Sequence, residues 1–297
     1  MSKNDTTLLK RDWIKKAQVL SEALPFLRRY TNENLVIKYG GNAMIDPQAA
    51  KSFALDMVLL RQVNLNPIIV HGGGPQITQT LEKMDIKSQF VEGLRVTDET
   101  TIKVVEMVLS GSINKSIVSS INTSGGCAVG ISGKDGNLVQ ARRHKGKKKN
   151  SPNLGLVGEP SKINPHILEA FQASKIIPVV APIGIGEKGE TLNINSDTLA
   201  GAIASTLAVK RLYILTDVPG VLDKKGQLIT DMAIADARAL IKNGTISGGM
   251  IPKIKTCIDA VKNGVGGAVI IDGRIKHSIL VELFSDGGAG TFIWPDK

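Results

Sequence analysis

"IIVHGGGPQIT" (residues 68–78) sets three consecutive glycines between an apolar run and a segment that reads as a helix. An apolar run that stops at glycines and restarts as a helix is the join of a buried strand to a crossover helix, the repeating unit of a parallel α/β sheet. Glycine lets backbone take φ > 0 and approach a ligand closely, and backbone amides beside a helix N-terminus suit an anion. The run is neither G-x-G-x-x-G nor G-x-x-x-x-G-K-[ST], which excludes a Rossmann or P-loop reading. It also contains no lysine. If these glycines hold a phosphate, its cations come from elsewhere in the chain.

Working outward, the same alternation recurs. "LVIKYGG" reads as a short buried strand ending in a glycine turn, "AAKSFALDMVLLRQV" as a helix and "PIIV" as the next strand. In "VTDETTIKVVEMVLSG", Asp98 and Glu99 favour a helix start and Gly111 is expected to end it. "AVGIS", "IIPVVAPIG", "RLYILTDVPGVL" and "GAVIIDG" read as further strands, with "SDTLAGAIASTLA" a helix. Continuous apolar strands alternating with helices predict a mainly parallel open sheet covered on both faces.

The N-terminal stretch (residues 7–30) is amphipathic: Leu9, Trp13, Ala17, Leu20, Leu24 and Leu27 follow helical spacing opposite Lys and Arg. Pro25 is expected to kink it or begin a second helix. Its apolar face suits its own domain or a partner subunit better than a membrane surface. "ARRHKGKKKNSPN" (residues 141–153) is basic and turn-rich, an exposed hairpin or loop.

The 297 residues carry 37 Lys and Arg against 27 Asp and Glu, a net +10 that favours anionic small molecules. Aromatics are only 4%, and none interleaves the basic stretch, which argues against nucleic-acid binding. Cys127 and Cys257 lack metal-site spacing and read as reduced thiols. No apolar run reaches the roughly 18 residues of a membrane span, and the N-terminus lacks a signal-peptide core, so a cytoplasmic protein is expected.

Four segments carry the chemistry. "VIKYGG" holds Lys38 at a strand end, followed by Gly40 and Gly41; "HGGGP" holds Gly72, Gly73 and Gly74. "LNINSD" holds Asn193, Asn195 and Asp197 before a helix, and "GGMIPKI" holds Gly248, Gly249 and Lys253 at another loop–helix junction. Singly each has a plain explanation: a solvated lysine, a turn glycine, a helix-capping Asp197, a core His71. Together they cluster where an open α/β sheet receives ligands, outside the carboxyl ends of its strands.

In order along the chain, "VIKYGGNAM", "IIVHGGGPQI", "GLRVTD", "LNINSD", "TDVPGVL" and "GGMIPKI" resemble the motifs of the amino acid kinase family. The resemblance runs from about Leu35 to the C-terminus and is to the branch that phosphorylates N-acetyl-L-glutamate. The N-terminal helix and "HSILVELFSDGGAGT" (residues 277–291) resemble its arginine-inhibited type.

That resemblance implies a three-layer α/β/α sandwich with an N-terminal helical extension (residues 1–31). It implies an acetylglutamate-binding and dimerisation lobe (residues 32–205) and an ATP-binding lobe (residues 206–297). The implied reaction moves the γ-phosphoryl group of ATP to the substrate's side-chain carboxylate. Lys38 would bridge the transferring group, Lys253 would face the leaving β-phosphate, and Asp197 would hold both lysines. Gly73, Gly74, Arg95 and Asn193 would bind substrate. Gly40, Gly41, Gly72, Thr216, Asp217, Val218, Gly220, Leu222 and Gly249 would border the nucleotide. Mg²⁺ would be held mainly through the nucleotide phosphates. No general base is needed, because the nucleophile is a carboxylate already ionised at neutral pH. Further implied are feedback inhibition by L-arginine at Glu282, Gly287 and His277, a dimer assembling into a hexamer of three dimers, and a PII-type nitrogen-signalling partner. A related carboxylate acceptor such as acetylaminoadipate, or an inactive regulatory protein on the same fold, stands as the alternative.

Overall fold

The computed structural model describes residues 3–145, 152–285 and 287–296. Helix α1 (Lys3–Tyr30) is followed by β1 (Asn34–Tyr39), α2 (Pro47–Gln62), β2 (Asn66–His71) and α3 (Gly74–Lys83). A short hairpin, β3 (Phe90–Val91) and β4 (Leu94–Arg95), precedes α4 (Glu99–Glu106), α5 (Asn114–Thr123) and β5 (Ala128–Ser132). Next come β6 (Val139–Arg143), β7 (Val157–Ile163), α6 (His166–Ala173), β8 (Ile177–Ala181), β9 (Ile183–Ile185), β10 (Thr191–Ile194) and α7 (Ser196–Thr206). The C-terminal part holds β11 (Arg211–Thr216), β12 (Asp231–Ala233), α8 (Ile234–Lys242), α9 (Met250–Lys262), β13 (Ala268–Asp272), α10 (Ser278–Phe284) and β14 (Gly290–Trp294).

One eight-stranded sheet runs β12-β14-β13-β11-β1-β2-β8-β5. Every pairing in it is parallel except β13 with β14. The central strands β1, β2, β8, β11 and β13 are buried along nearly their whole length, as their unbroken apolar runs require. The sheet is continuous across the two expected lobes, which join where β1 pairs with β11. A second, closed set of four strands, β10-β7-β6-β9, sits beside it. It includes part of "IIPVVAPIG", whose apolar run divides into β8 of the large sheet and β9 of the small barrel.

Two expectations are corrected. Gly111 does not end its helix: a π-helical segment (Met107–Ile113) carries the chain from α4 straight into α5. An exposed glycine costs a helix only about 1 kcal/mol, and the buried Val108, Leu109, Ile113, Ile117 and Ile121 outweigh that. Of the two outcomes expected at Pro25, a kink or a second helix, the second is overturned, since α1 passes through it. Proline removes one i→i−4 hydrogen bond, and the turns on either side retain theirs. The basic stretch begins in β6, which pairs antiparallel with β7, and its residues 146–151 lie outside the described ones. Arg142 meets Glu159 and Arg143 meets Glu190, so these two cations have acidic partners within the fold, and His144 Nδ1 also lies 2.7 Å from Glu159. Cys127 and Cys257 are both free thiols. Among the described residues no helix is long and apolar enough to cross a membrane.

Candidate active site

Asp197 lies in the first turn of α7, whose cap is Asn195: the Asn195 side chain accepts from the amides of Asp197 and Thr198 at 2.9 and 3.1 Å. With the cap supplied, the Asp197 carboxylate is left to turn inward. Its Oδ2 accepts a hydrogen bond from Lys253 Nζ at 2.7 Å. Its Oδ1 lies 3.1 Å from Lys38 Nζ, a charge contact rather than an aligned hydrogen bond. Lys38 comes from β1 and Lys253 from the first turns of α9, so three distant segments meet on one carboxylate. Burial works against ionising Asp197, and the two ammonium groups overcome it, holding the carboxyl below the usual carboxylate range.

The turn after β1 is shaped by this cluster. A Cβ on Gly40 would stand 2.5 Å from Lys38 Nζ, so only glycine lets the ammonium lie over the turn. Gly41 has φ +70°, and a Cβ there would come within 2.4 Å of Asp217 Oδ1. The turn after β1 therefore lies close against Asp217, the residue that follows β11. Val218 and Leu222 are exposed, and Gly220 is packed against Thr291. Gly249 caps α9 with open space around it.

Next to the charge cluster is a cavity of about 170 Å³, lined by Gly72, Gly73, Gly74, Arg95, Asn193 and Ser196 among others. Gly72 joins the two, lying 3.7 Å (as measured from an added Cβ) from Gly40 Cα and 3.5 Å from Ser196 Oγ. The three glycines are not equivalent. The Gly72 amide donates to the Tyr39 carbonyl at 2.7 Å, which corrects the expectation that all three amides are available. The strand pairing of β1 with β2 takes that donor. The amides of Gly73 and Gly74, at the start of α3, have no acceptor among the described residues.

Arg95 is 5% exposed and forms no ion pair among the described residues. Its guanidinium donates to Thr78 Oγ1 at 2.7 Å, to the Gly74 carbonyl at 2.9 Å and to Ser88 Oγ, and it stacks 4.6 Å from the Phe90 ring centroid. Burial lowers its pKa without any acid to offset the effect. A buried cation held by neutral oxygens at a cavity wall is a site for an anion. Asn193, across the cavity on β10, donates to Thr97 Oγ1 at 3.3 Å, and Thr97 in turn donates to the Arg95 carbonyl.

His71 is fully buried, and burial drives its pKa down to about 4, so it is a neutral core residue rather than a base. Its partner Asn114 was not legible in the sequence, nor was Ser88, while Thr78 and Ser196 lie within the stretches quoted above but were not singled out there. Asn114 and Ser88 are single polar residues, one in a helix and one in an irregular segment, without motif spacing. At the C-terminal end, Glu282 and Gly287 do share a cavity of about 540 Å³ with Arg29 and Tyr30 of α1 and with Arg211. His277 does not line it. Its Nδ1 lies 2.6 Å from Asp56 Oδ1 on α2 instead. Glu282 Oε2 already accepts the Ala289 amide at 2.5 Å, so part of the glycine-rich turn serves Glu282 itself.

The mainly parallel sheet brings two lysines onto one buried aspartate beside a cavity walled by a buried arginine, and the chain belongs to the amino acid kinase family, whose model matches residues 33–272. It is similar to the acetylglutamate kinase of Rhodospirillum rubrum, at 58% identity over 95% of this chain and 93% of that protein. Its fold is that of N-acetylglutamate synthase from Neisseria gonorrhoeae in complex with coenzyme A and N-acetyl-glutamate, with a TM-score of 0.85 at 22% identity. The match covers 95% of this chain and 64% of the synthase, so the chain spans just under two thirds of that protein's length. Carbamate kinase from Giardia lamblia bound to AMP-PNP shares the fold at a TM-score of 0.65 and 18% identity, over 89% of this chain and 99% of that one.

Proposed function

We propose that the protein is an ATP-dependent acetylglutamate kinase, forming N-acetyl-L-glutamyl 5-phosphate and ADP in arginine biosynthesis. The full-length similarity to acetylglutamate kinases supports this. The observation that carries the mechanism is the meeting of Lys38 and Lys253 on Asp197. Phosphoryl transfer leaves the protein little covalent work: it must align the reactants and neutralise charge on the equatorial, attacking and leaving oxygens. In this reading a side-chain carboxylate oxygen of the substrate attacks the γ-phosphorus, the bond to the β,γ-bridging oxygen breaks, and its electron pair leaves with ADP. Lys38 stabilises the transferring group, Lys253 the leaving side, and Asp197 keeps the two ammonium groups from drifting apart. Gly73 and Gly74 offer amides to the phosphoryl oxygens, Arg95 clamps the substrate α-carboxylate, and Asn193 is its second ligand.

The nucleotide lies along Gly40, Gly41, Gly249 and the 216–222 loop. Gly72 contributes by close packing, its amide being engaged. Mg²⁺ would enter on the nucleotide phosphates. Among the described residues no three acidic, histidine or cysteine side chains gather to hold a metal, and Asp197 is engaged by both lysines. L-Arginine as inhibitor, a dimer extended to a hexamer through α1, a PII-type partner and a cytoplasmic location belong to the same reading. The cavity shared by α1, Glu282 and Gly287 supports the regulatory part. A hydroxylamine trap for acyl phosphate, run with ATP and a panel of acceptors, tests the function. Acetylglutamate should give product while glutamate, aspartate and carbamate give little; equal product from any of these three would refute the assignment.

A further inference from the structure

His71 closes β2 and is 0% exposed, and it takes no part in the mechanism above. A core seldom buries an imidazole without using both nitrogens. Here Nδ1 lies 2.8 Å from the carbonyl oxygen of Gly72, and Nε2 lies 3.3 Å from Asn114 Nδ2. The orientation of the Asn114 amide is fixed from outside. Its nitrogen faces the carbonyls of Val179 at 2.9 Å and Ile131 at 3.4 Å, and its oxygen faces Lys115 Nζ at 3.3 Å. The Gly72 carbonyl can only accept, so the ring proton is on Nδ1, and Nε2 is left as an acceptor facing the Asn114 amide nitrogen. The ring is neutral at working pH, which keeps this tautomer in place.

The Gly72–Gly73 peptide is planar and trans, so its carbonyl and its N–H point to opposite edges. A carbonyl drawn toward His71 and the core turns the Gly73 N–H away from them, toward the cavity that Gly73 lines. Glycine on both sides of a peptide leaves it easy to flip, and among the described residues no other side chain bonds this carbonyl. The element that supplies Asn114 also braces the loop. In its π-helical segment, Leu109 and Ile113 put methyl groups where a Gly73 Cβ would come within 2.6 Å. π-Turns are uncommon and gather at functional sites.

We infer that His71 and Asn114 are a positioning pair that locks the Gly72–Gly73 peptide with the Gly73 amide aimed at the transferring phosphoryl group. This rests on the kinase reading, and it makes the donor's direction a property of the β2–α5 contact rather than of the glycine loop alone. An amide misdirected by about an ångström costs on the order of 10²-fold in rate.

Two amide substitutions separate positioning from packing. In His71→Asn the side-chain nitrogen occupies the place of Nδ1, and in His71→Gln the place of Nε2. Positioning predicts that His71→Asn keeps kcat within a few-fold, while His71→Gln loses about 10²-fold with KM for acetylglutamate and ATP little changed. Packing predicts the reverse order, because glutamine better fills the imidazole's volume; a faster His71→Gln than His71→Asn would overturn the inference. If neither variant folds, the imidazole nitrogen shifts of the wild-type protein decide it. A neutral ring protonated at Nδ1 is expected, and protonation at Nε2 would overturn it. Wild-type turnover with acetylglutamate in the same assay tests the kinase reading separately.

Discussion

Asp197 sits between two ammonium groups, and removing its charge leaves Lys38, 7% exposed, near Lys253 with no negative charge between them. An uncompensated buried charge costs about 3 kcal/mol or more, so Asp197→Asn should lower stability by about that amount. The pH dependence follows from the direction of the shift. A carboxyl whose folded pKa lies below its unfolded value stabilises the fold fully above the ordinary aspartate range, near 3.9, and loses that contribution as pH falls through the folded pKa. Denaturant titrations of wild type and Asp197→Asn should therefore differ by a constant amount from pH 5 to 8, with the gap narrowing below about pH 4. A gap that closes between pH 5 and 8 would mean that the lysines do not hold this carboxylate ionised.

At the scale of elements, the strand–turn junctions carry the site. Gly41, at φ +70°, has no room for a Cβ beside Asp217, which follows β11. Gly41→Ala should cost about 2 kcal/mol through its backbone alone, lower the melting temperature by about 5 °C, and raise KM for ATP more than KM for acetylglutamate. Unchanged melting and an unchanged KM for ATP would remove Gly41 from the nucleotide side. Such junctions were legible because an apolar run, a glycine turn and a lysine are all local in sequence. The small barrel was not, since β6 and β7 mix buried and exposed residues and pair over a long, basic connection. The π-helical segment was invisible for another reason: apolar spacing reports which face is buried, not which carbonyl an amide selects. The same limit hid Asn114, whose meaning lies in contacts with β2, β5 and β8.

For the whole molecule, two features reach beyond any one element. Trp13, Ile14, Val19 and Leu20 of α1 are each more than 60% exposed, an apolar surface that this chain leaves uncovered, while Phe26, Arg29 and Tyr30 reach the Glu282 cavity. If α1 joins dimers and borders an arginine site, deleting residues 1–26 should give an active dimer by light scattering that arginine barely inhibits; undiminished inhibition of that dimer would break the link. The other feature is the convergence of Lys38 and Lys253, 215 positions apart in the 297-residue chain, on one carboxylate. The central claim is that these two cations carry the charge of the transfer. Single-turnover rates of ATP-to-acetylglutamate phosphoryl transfer in Lys38→Ala and Lys253→Ala test it most directly. Each should fall by about 10²- to 10³-fold while the fold is retained. Near wild-type rates in both variants would contradict it.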